Sequence, residues 1–306
     1  MNTRLFSVII LHYCQPQYLK GAIDSVLMQN YPSVELILAD DGSDNLNRQE
    51  ITEYIETHKR SNIKNVICRF NDNNIGTIKN INEAVKASSG EYVLFFAADD
   101  VLYSDNVLTC FAEELNKDAQ SNLLCAQSVM MSHDMGEELG KFVPELIVKS
   151  GNQMTAREQH TALLYQCCYA AGATAFRRKC FNHFGLFDES YKVIEDWTYF
   201  LEYTNRGGYI PFCDFNALKH RAGGISENGK SRRLSDIYYN DIKKIYLEKV
   251  LPYVDDEKDI DRKSKILLHY KDIERNPLRI CLSLFKNMDV VIYLIKRVLK
   301  KIIRKK

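Results

Sequence analysis

Tyr92–Asp100, YVLFFAADD, decides the reading of this chain. Its apolar run shows no alternation with polar residues, the pattern of a strand covered on both faces. It ends in Ala97-Ala98 and two adjacent aspartates. Val34–Ser43, VELILADDGS, repeats the arrangement, and Phe6–Leu11, FSVIIL, and Val66–Phe70 are two further strand-like runs. Between them the period becomes helical. Gln17–Gln29 carries Leu19, Ile23, Val26 and Leu27. Residues 48–58 read as a helix, and Thr77–Ala87 sets Ile78, Ile81, Ala84 and Val85 on one side. Tyr31-Pro32 and Ser88-Ser89-Gly90 punctuate the pattern. Strands and helices alternating at this spacing imply an α/β chain with a mostly parallel, Rossmann-like sheet flanked by helices. Such sheets bind ligands beyond the carboxyl ends of their strands. Two of these ends carry paired aspartates.

The later sequence is less regular. Asp105–Leu115 reads as a helix, Leu123–Met130 as a strand and 132–152 as loop. Arg157–Tyr165 reads as a helix, Ala170–Arg177 as a strand and Asp196–Tyr203 as a helix. After Ser226 the chain is helical and charged, a C-terminal extension.

With 306 residues, 45% apolar and 26% charged, the composition is that of a folded globular protein. The net charge of +1 lacks the basic footprint of a nucleic-acid binder. Seven basic and no acidic residues fall within 296–306, leaving 1 − 7 = −6 for the rest. Nine cysteines without C-x-x-C spacing read as free thiols of a reducing cytosol. No segment reaches the ~20 apolar residues of a membrane span. The apolar run after Arg4 meets His12 and Tyr13 and reads as a strand, not a signal peptide. Near the end, Leu294, Ile295, Val298, Leu299, Ile302 and Ile303 alternate in pairs with Lys296, Arg297, Lys300, Lys301, Arg304 and Lys305. On a helix this segregates an apolar face from a basic one, as attachment to an anionic membrane surface requires. Packing on the body of the protein is the alternative.

Three acidic sites carry the chemistry. Asp40-Asp41 lies in D-D-G-S, which is also good turn chemistry. Asp99-Asp100 are adjacent carboxylates that repel unless a cation or hydrogen-bond donors intervene. Mg²⁺ or Mn²⁺ would suit them and could bridge to a diphosphate. Glu195-Asp196 precedes a helix, where acidic residues also serve the helix dipole.

Taken in order, FSVIILHY, SVLMQNYPSVELILADDGS, NNIGTIKNINEAVKASSGEYVLFFAADD, GLFDE and EDWTYFLEY resemble an inverting family 2 glycosyltransferase of the GT-A fold, from Phe6 to about Ser226. The resemblance implies a catalytic domain over 1–226, with a nucleotide-binding half (1–100) and an acceptor half (101–226), followed by a helical extension over 227–306. It implies that Asp41 and the backbone near Leu11, His12 and Tyr13 meet the base. Lys79, where the family usually has Arg, would lie near the donor diphosphate. Asp99 would lie near the ribose and diphosphate. Asp100 would ligate the metal, and Asp196 would be the catalytic base. Either His220 or Arg221, within K-H-R-A-G-G-I-S, would contact metal or diphosphate. The first Asp of the usual D-x-D triplet is Ala97 here.

The implied reaction moves a sugar from a nucleotide-diphosphate donor, a UDP-sugar, to a glycan or lipid-linked acceptor with inversion. The setting would be bacterial surface polysaccharide or glycoconjugate synthesis, in the cytoplasm with peripheral attachment at the inner face of the membrane. A nucleotidyltransferase is one rival, although residues 11–16 hold no glycine for a phosphate loop. A non-catalytic nucleotide-sugar-binding protein of the same fold is the other.

Overall fold

In a computed structural model, residues 3–144, 148, 150–223, 232–254, 258–274 and 276–303 are described. The first half follows the apolar periods: β1 (Phe6–His12), α1 (Pro16–Leu27), β2 (Val34–Asp40), α2 (Arg48–His58), β3 (Ile63–Phe70), α3 (Thr77–Ala87) and β4 (Tyr92–Ala97). These strands pair in the order β3-β2-β1-β4, all parallel. β1, β2 and β4 are buried on both faces because their side chains alternate between two apolar layers, whereas β3, at the edge, is only partly covered. Val8, Ile10, Leu36, Leu38, Leu94 and Phe96 pack with α1 and α2, whereas Ile9, Ile37, Val93 and Phe95 pack with α3. The helix ends use ordinary chemistry. Pro16 opens α1, and Asn47 accepts the Glu50 N–H to cap α2.

The second half comprises β5 (Val101–Leu102), α4 (Val107–Lys117), β6 (Leu123–Met131), β7 (Glu138–Lys141), α5 (Ala156–Leu163), a 3-10 turn (Ala171–Ala173), β8 (Thr174–Arg177), α6 (Arg178–Phe184), α7 (Glu195–Asn205) and β9 (Phe212–Arg221). The sheet continues β4-β8-β6-β9-β5. The parallel register of the first four strands gives way to antiparallel pairing of β8 with β4 and β6 and of β5 with β9. β6 and β9 are parallel.

Several local expectations change. The 132–152 loop contains β7, a fully exposed strand folded back on β6, so it carries no apolar signal. The strand expected from Ala170 begins at Thr174, because 171–173 form the tight turn. β9 and α6 were not foreseen. In β9, pairing with β6 is interrupted by register shifts near Gln127, which blurs any period-2 pattern.

The extension comprises α8 (Arg232–Ile245), a π-helical turn (Tyr246–Val250), α9 (Leu251–Val254), α10 (Ile260–Ile273), α11 (Pro277–Lys286) and α12 (Met288–Ile303). Ile245, Tyr246, Val250, Ile266, Leu267 and Tyr270 join the same apolar cluster as α3 and α7. The extension is thus built onto the helix layer of the sheet. The boundary placed at 226 lies outside the described residues. All nine cysteines are free thiols. No described helix is long and apolar enough to cross a membrane.

Candidate active site

Register brings three strand ends level. Leu11 of β1 faces Ala39 of β2 and Ala97 of β4. The residues just beyond, His12 to Tyr13, Asp40 to Asp41 and Ala98 to Asp100, therefore line one edge. Backbone bonds fix the edge: Asp41 N–H donates to the His12 carbonyl (2.9 Å) and Ala98 N–H to the Leu11 carbonyl (2.8 Å). Tyr13 stands exposed.

Asp41 is buried. Its carboxylate accepts the backbone N–H groups of Ile75 (2.8 Å) and Gly76 (3.0 Å) and the amide of Asn71 (3.1 Å). It therefore holds the 71–76 loop that leads into α3, at the positive end of that helix. Gly42 is obligatory here. Its φ is +76°, and a Cβ would come within 2.5 Å of the Asn73 carbonyl carbon. Beside it, His12 Nδ1 meets Asp40 Oδ1 at 2.7 Å, and Ser43 Oγ donates to the same oxygen at 2.5 Å. Burial raises the Asp40 pKa, but these hydrogen bonds outweigh it and the net shift is downward. This inner network was not among the expected site residues. Its signal, a polar triplet at two strand ends, is local turn chemistry in sequence.

Asp100 and the last strand meet for a topological reason. β5 starts at the next residue and pairs antiparallel with β9, Val101 opposite Lys219, so His220 and Arg221 come alongside Asp100. Asp100 is buried; its Oδ2 lies 2.9 Å from His220 Nδ1, and its Oδ1 accepts the Arg221 N–H at 3.0 Å. Arg221 also donates through Nε to the Asp99 carbonyl (2.9 Å) and through Nη1 to the His133 carbonyl, and it lies over the Tyr18 ring at 4.2 Å. Both residues of the open alternative, His220 and Arg221, thus reach the aspartates. Tyr18 and His133 join them without any signal in sequence. Burial first, and the Asp100 charge second, push the Asp99 carboxyl up. Two adjacent carboxylates with an imidazole beside them are an oxygen-rich donor set of the kind that suits Mn²⁺ or Mg²⁺. Among the described residues no three such side chains converge by themselves. Further ligands would have to be substrate oxygens or water. Lys79 sits on the exposed side of α3, where its charge acts on Glu83.

The third acidic site opens α7. Asp196 Oδ1 accepts the Trp197 N–H at 2.6 Å. Burial pushes the Asp196 carboxyl up to about 6. Glu195 is pushed higher still, by burial and then by the Asp196 charge. The charge of Asp196 also raises the Cys167 thiol and the Tyr238 phenol after burial does, so both stand near it. No hydrogen bond among the described residues joins Asp196 to Asp99 or Asp100. Gly172 lies against the sheet: a Cβ there would come within 3.0 Å of Leu218 Cδ2 of β9 and 3.5 Å of Phe96 Cβ of β4.

A sequence profile described as "Glycosyl transferase family 2" matches residues 7–184. Over 133 residues the chain is 30% identical to an uncharacterized glycosyltransferase of Haemophilus influenzae, covering 44% of this chain and 47% of that one. Matches to such curated relatives span 29% to 56% of the relatives' length. Among solved structures, the chain resembles S. aureus TarS 1–349 in complex with UDP-GlcNAc (TM-score 0.55, 18% identity, 88% of this chain, 80% of that one). It also resembles the mannosyltransferase PcManGT from Pyrobaculum calidifontis in complex with GDP-Man and Mn²⁺ (TM-score 0.57, 13% identity, 99% and 81%). At these identities the likeness is one of fold.

Proposed function

Because the chain belongs to glycosyl transferase family 2 and has a GT-A type fold, we propose that it transfers a sugar from a UDP-sugar to an acceptor hydroxyl with inversion at the anomeric carbon. The observation that carries this reading is the edge formed by β1, β2 and β4, where Asp41, Asp99 and Asp100 stand level. Asp41 and the Leu11–Tyr13 backbone would receive the base. Asp99, His220 and Arg221 would flank the ribose and diphosphate. Lys79, from its exposed position, would attract the diphosphate as a point charge.

Asp100, with His220 beside it, would hold a divalent metal whose remaining ligands come from substrate oxygens or water. That ion would supply positive charge to the leaving diphosphate. Asp196 would take the proton of the attacking hydroxyl. A base near 6 is ionised at neutral pH yet more basic than an ordinary aspartate. Inversion follows from a single displacement; retention through a covalent intermediate would need a carboxylate as nucleophile.

The acceptor is proposed to be a glycan or lipid-linked sugar of bacterial surface assembly, met at the inner face of the membrane. Exposed side chains support attachment there, and they extend the surface beyond the basic tail. Leu278, Leu282 and Phe285 of α11 are 68%, 56% and 78% exposed, and Met288, Ile292 and Ile295 of α12 are also exposed. The spacing i, i+4, i+7 puts each trio on one helix stripe. Arg279, Lys286 and Lys296 flank them and suit anionic lipid. The side chains of Val298, Leu299, Ile302 and Ile303 lie outside the described residues.

The test is a thermal-shift panel of nucleotide sugars with and without Mn²⁺. A UDP-sugar should stabilise the protein most, by about 2.7 kcal/mol at a hundredfold excess over Kd. Asp100→Ala should remove the increment that Mn²⁺ adds. Absence of stabilisation by any UDP-sugar would overturn the donor assignment.

A further inference from the structure

One face of α8 and the turn after it runs along the loop that leads to Glu195-Asp196. Asp241 is buried, and its Oδ2 accepts three consecutive backbone N–H groups, from Lys192 (2.8 Å), Val193 (2.7 Å) and Ile194 (3.2 Å). Lys244 donates to the Ser190 carbonyl at 2.9 Å, and its ammonium stands 4.4 Å from the Tyr191 ring centroid. The Tyr191 hydroxyl donates to Glu248 at 3.1 Å. Positions 241, 244 and 248 are spaced i, i+3, i+7, a single helical stripe. Tyr238 stands one turn earlier, near enough to Asp196 for that charge to raise its phenol after burial does.

The start of α7 needs such support. Its N-cap residue, Ile194, offers no side-chain acceptor, and of its first amides Trp197 N–H is met by Asp196 Oδ1. A carboxylate supplied from another helix satisfies the approach instead. A single carboxylate oxygen that accepts three consecutive N–H groups fixes the backbone at 192–194 from outside the loop. Two half-buried acidic residues follow immediately. Without a fixed entry they would relax toward solvent, because burial disfavours their charge.

We propose that the helical extension is a working part of the active site, with Asp241 as the positioning residue that holds loop 190–194 and so aims the Glu195–Asp196 pair. The proposal rests on the reading of Asp196 as the base. Asp241 itself touches no substrate. Its effect is transmitted through three peptide groups to a carboxylate that must be placed within hydrogen-bond reach of the acceptor hydroxyl. A misplacement of about 1 Å at such a group can cost on the order of a hundredfold in rate. The donor-binding edge of β1, β2 and β4 makes none of these contacts, so it should not respond.

The experiment compares full-length wild type with Asp241→Ala, Asp241→Asn, Lys244→Ala and Asp196→Asn. It measures UDP affinity by calorimetry, UDP release from the UDP-sugar that gives the largest thermal shift, and hydrogen exchange of the segment around 190–197. Asp241→Ala should lower kcat by at least tenfold with UDP affinity within twofold of wild type, and exchange at 192–194 should quicken. Asp241→Asn keeps an accepting oxygen and should recover most of the turnover. Wild-type kcat in Asp241→Ala, or parallel loss of kcat and UDP affinity, would overturn the proposal. If Asp241→Ala does not fold, Asp241→Asn and Lys244→Ala decide it: lowered kcat at unchanged UDP affinity in Lys244→Ala supports the clamp, and wild-type turnover in both overturns it. Asp196→Asn separates the two readings. Wild-type turnover there removes the base assignment itself, whereas an inactive Asp196→Asn beside a fully active Asp241→Ala removes only the clamp.

Discussion

Asp196 shows how much one side chain's environment decides. In sequence it is an acidic residue at a helix start, where aspartate is ordinarily solvated and favoured by the dipole. In the fold it is half-buried beside Glu195, and desolvation lifts its pKa to about 6. As the proposed base it must be unprotonated, so kcat/KM should fall as the pH drops through about 6, well above the range of an ordinary aspartate. Asp196→Asn should keep UDP affinity and lower turnover by at least ~10²-fold, the lower end for loss of a general base. If steady-state assays with a competent acceptor find turnover unchanged, the base lies elsewhere and Glu195 is the next candidate. The same burial has a stability consequence. Both carboxyls bind protons more tightly in the folded state than in the unfolded chain. Their contribution is therefore most favourable at low pH and is lost as pH rises through about 6 and then through the higher pKa of Glu195. Glu195→Gln should flatten the decline of Tm between pH 6 and 9, and an identical slope would contradict the buried-pair picture.

At the scale of elements, the donor edge depends on close passage of the 71–76 loop over the turn after β2. Gly42→Ala must adopt φ +76° and push a methyl into the Asn73–Asn74 backbone. Left-handed conformation alone costs a non-glycine residue ~1–2 kcal/mol, and the clash adds to it. The variant should melt several degrees lower and bind UDP more weakly, because the loop and Asp41 shift together. Undiminished UDP affinity in a destabilised Gly42→Ala would show that the Asp41 contacts are not needed for the base. Gly76→Ala is the useful control. It shares a positive φ but meets nothing within 4 Å, so only the conformational cost remains.

At the scale of the molecule, the extension has two faces with different partners. Val290 is fully buried, Leu294 packs on the core, and Tyr293 and Arg297 both bond Asp261 of α10. Removing residues 290–306 would therefore strip packed core along with any lipid contact. A cleaner variant changes Leu278, Leu282 and Phe285 to serine, since α11 buries none of its residues. This triple variant should lose co-sedimentation with anionic vesicles at low salt while binding UDP normally. Neutral vesicles and high salt should release the wild type too, because attraction beyond a Debye length is screened. Wild-type protein that stays in the supernatant with anionic vesicles would refute membrane docking.

Local pattern in the sequence was enough for the half of the fold that is built from consecutive elements. The apolar runs at 6–11, 34–39 and 92–96 and the helices at 48–58 and 77–87 were legible because burial on both faces, or along one stripe, writes itself into neighbouring residues. The ordered acidic motifs likewise identified the family and nominated Asp41, Asp99, Asp100 and Asp196. The tertiary structure decided what depends on residues distant in the chain. β9 lands beside Asp100 only because β5 pairs with it across more than a hundred residues, which brings His220 and Arg221 to the same carboxylate. The antiparallel insertion of β8 and the exposed β7 have no period of their own. Asp241 grips the loop before Asp196 from 45 residues away on an ordinary charged helix. Nothing in its neighbours marks it, because its partners are backbone N–H groups, which every residue but proline possesses.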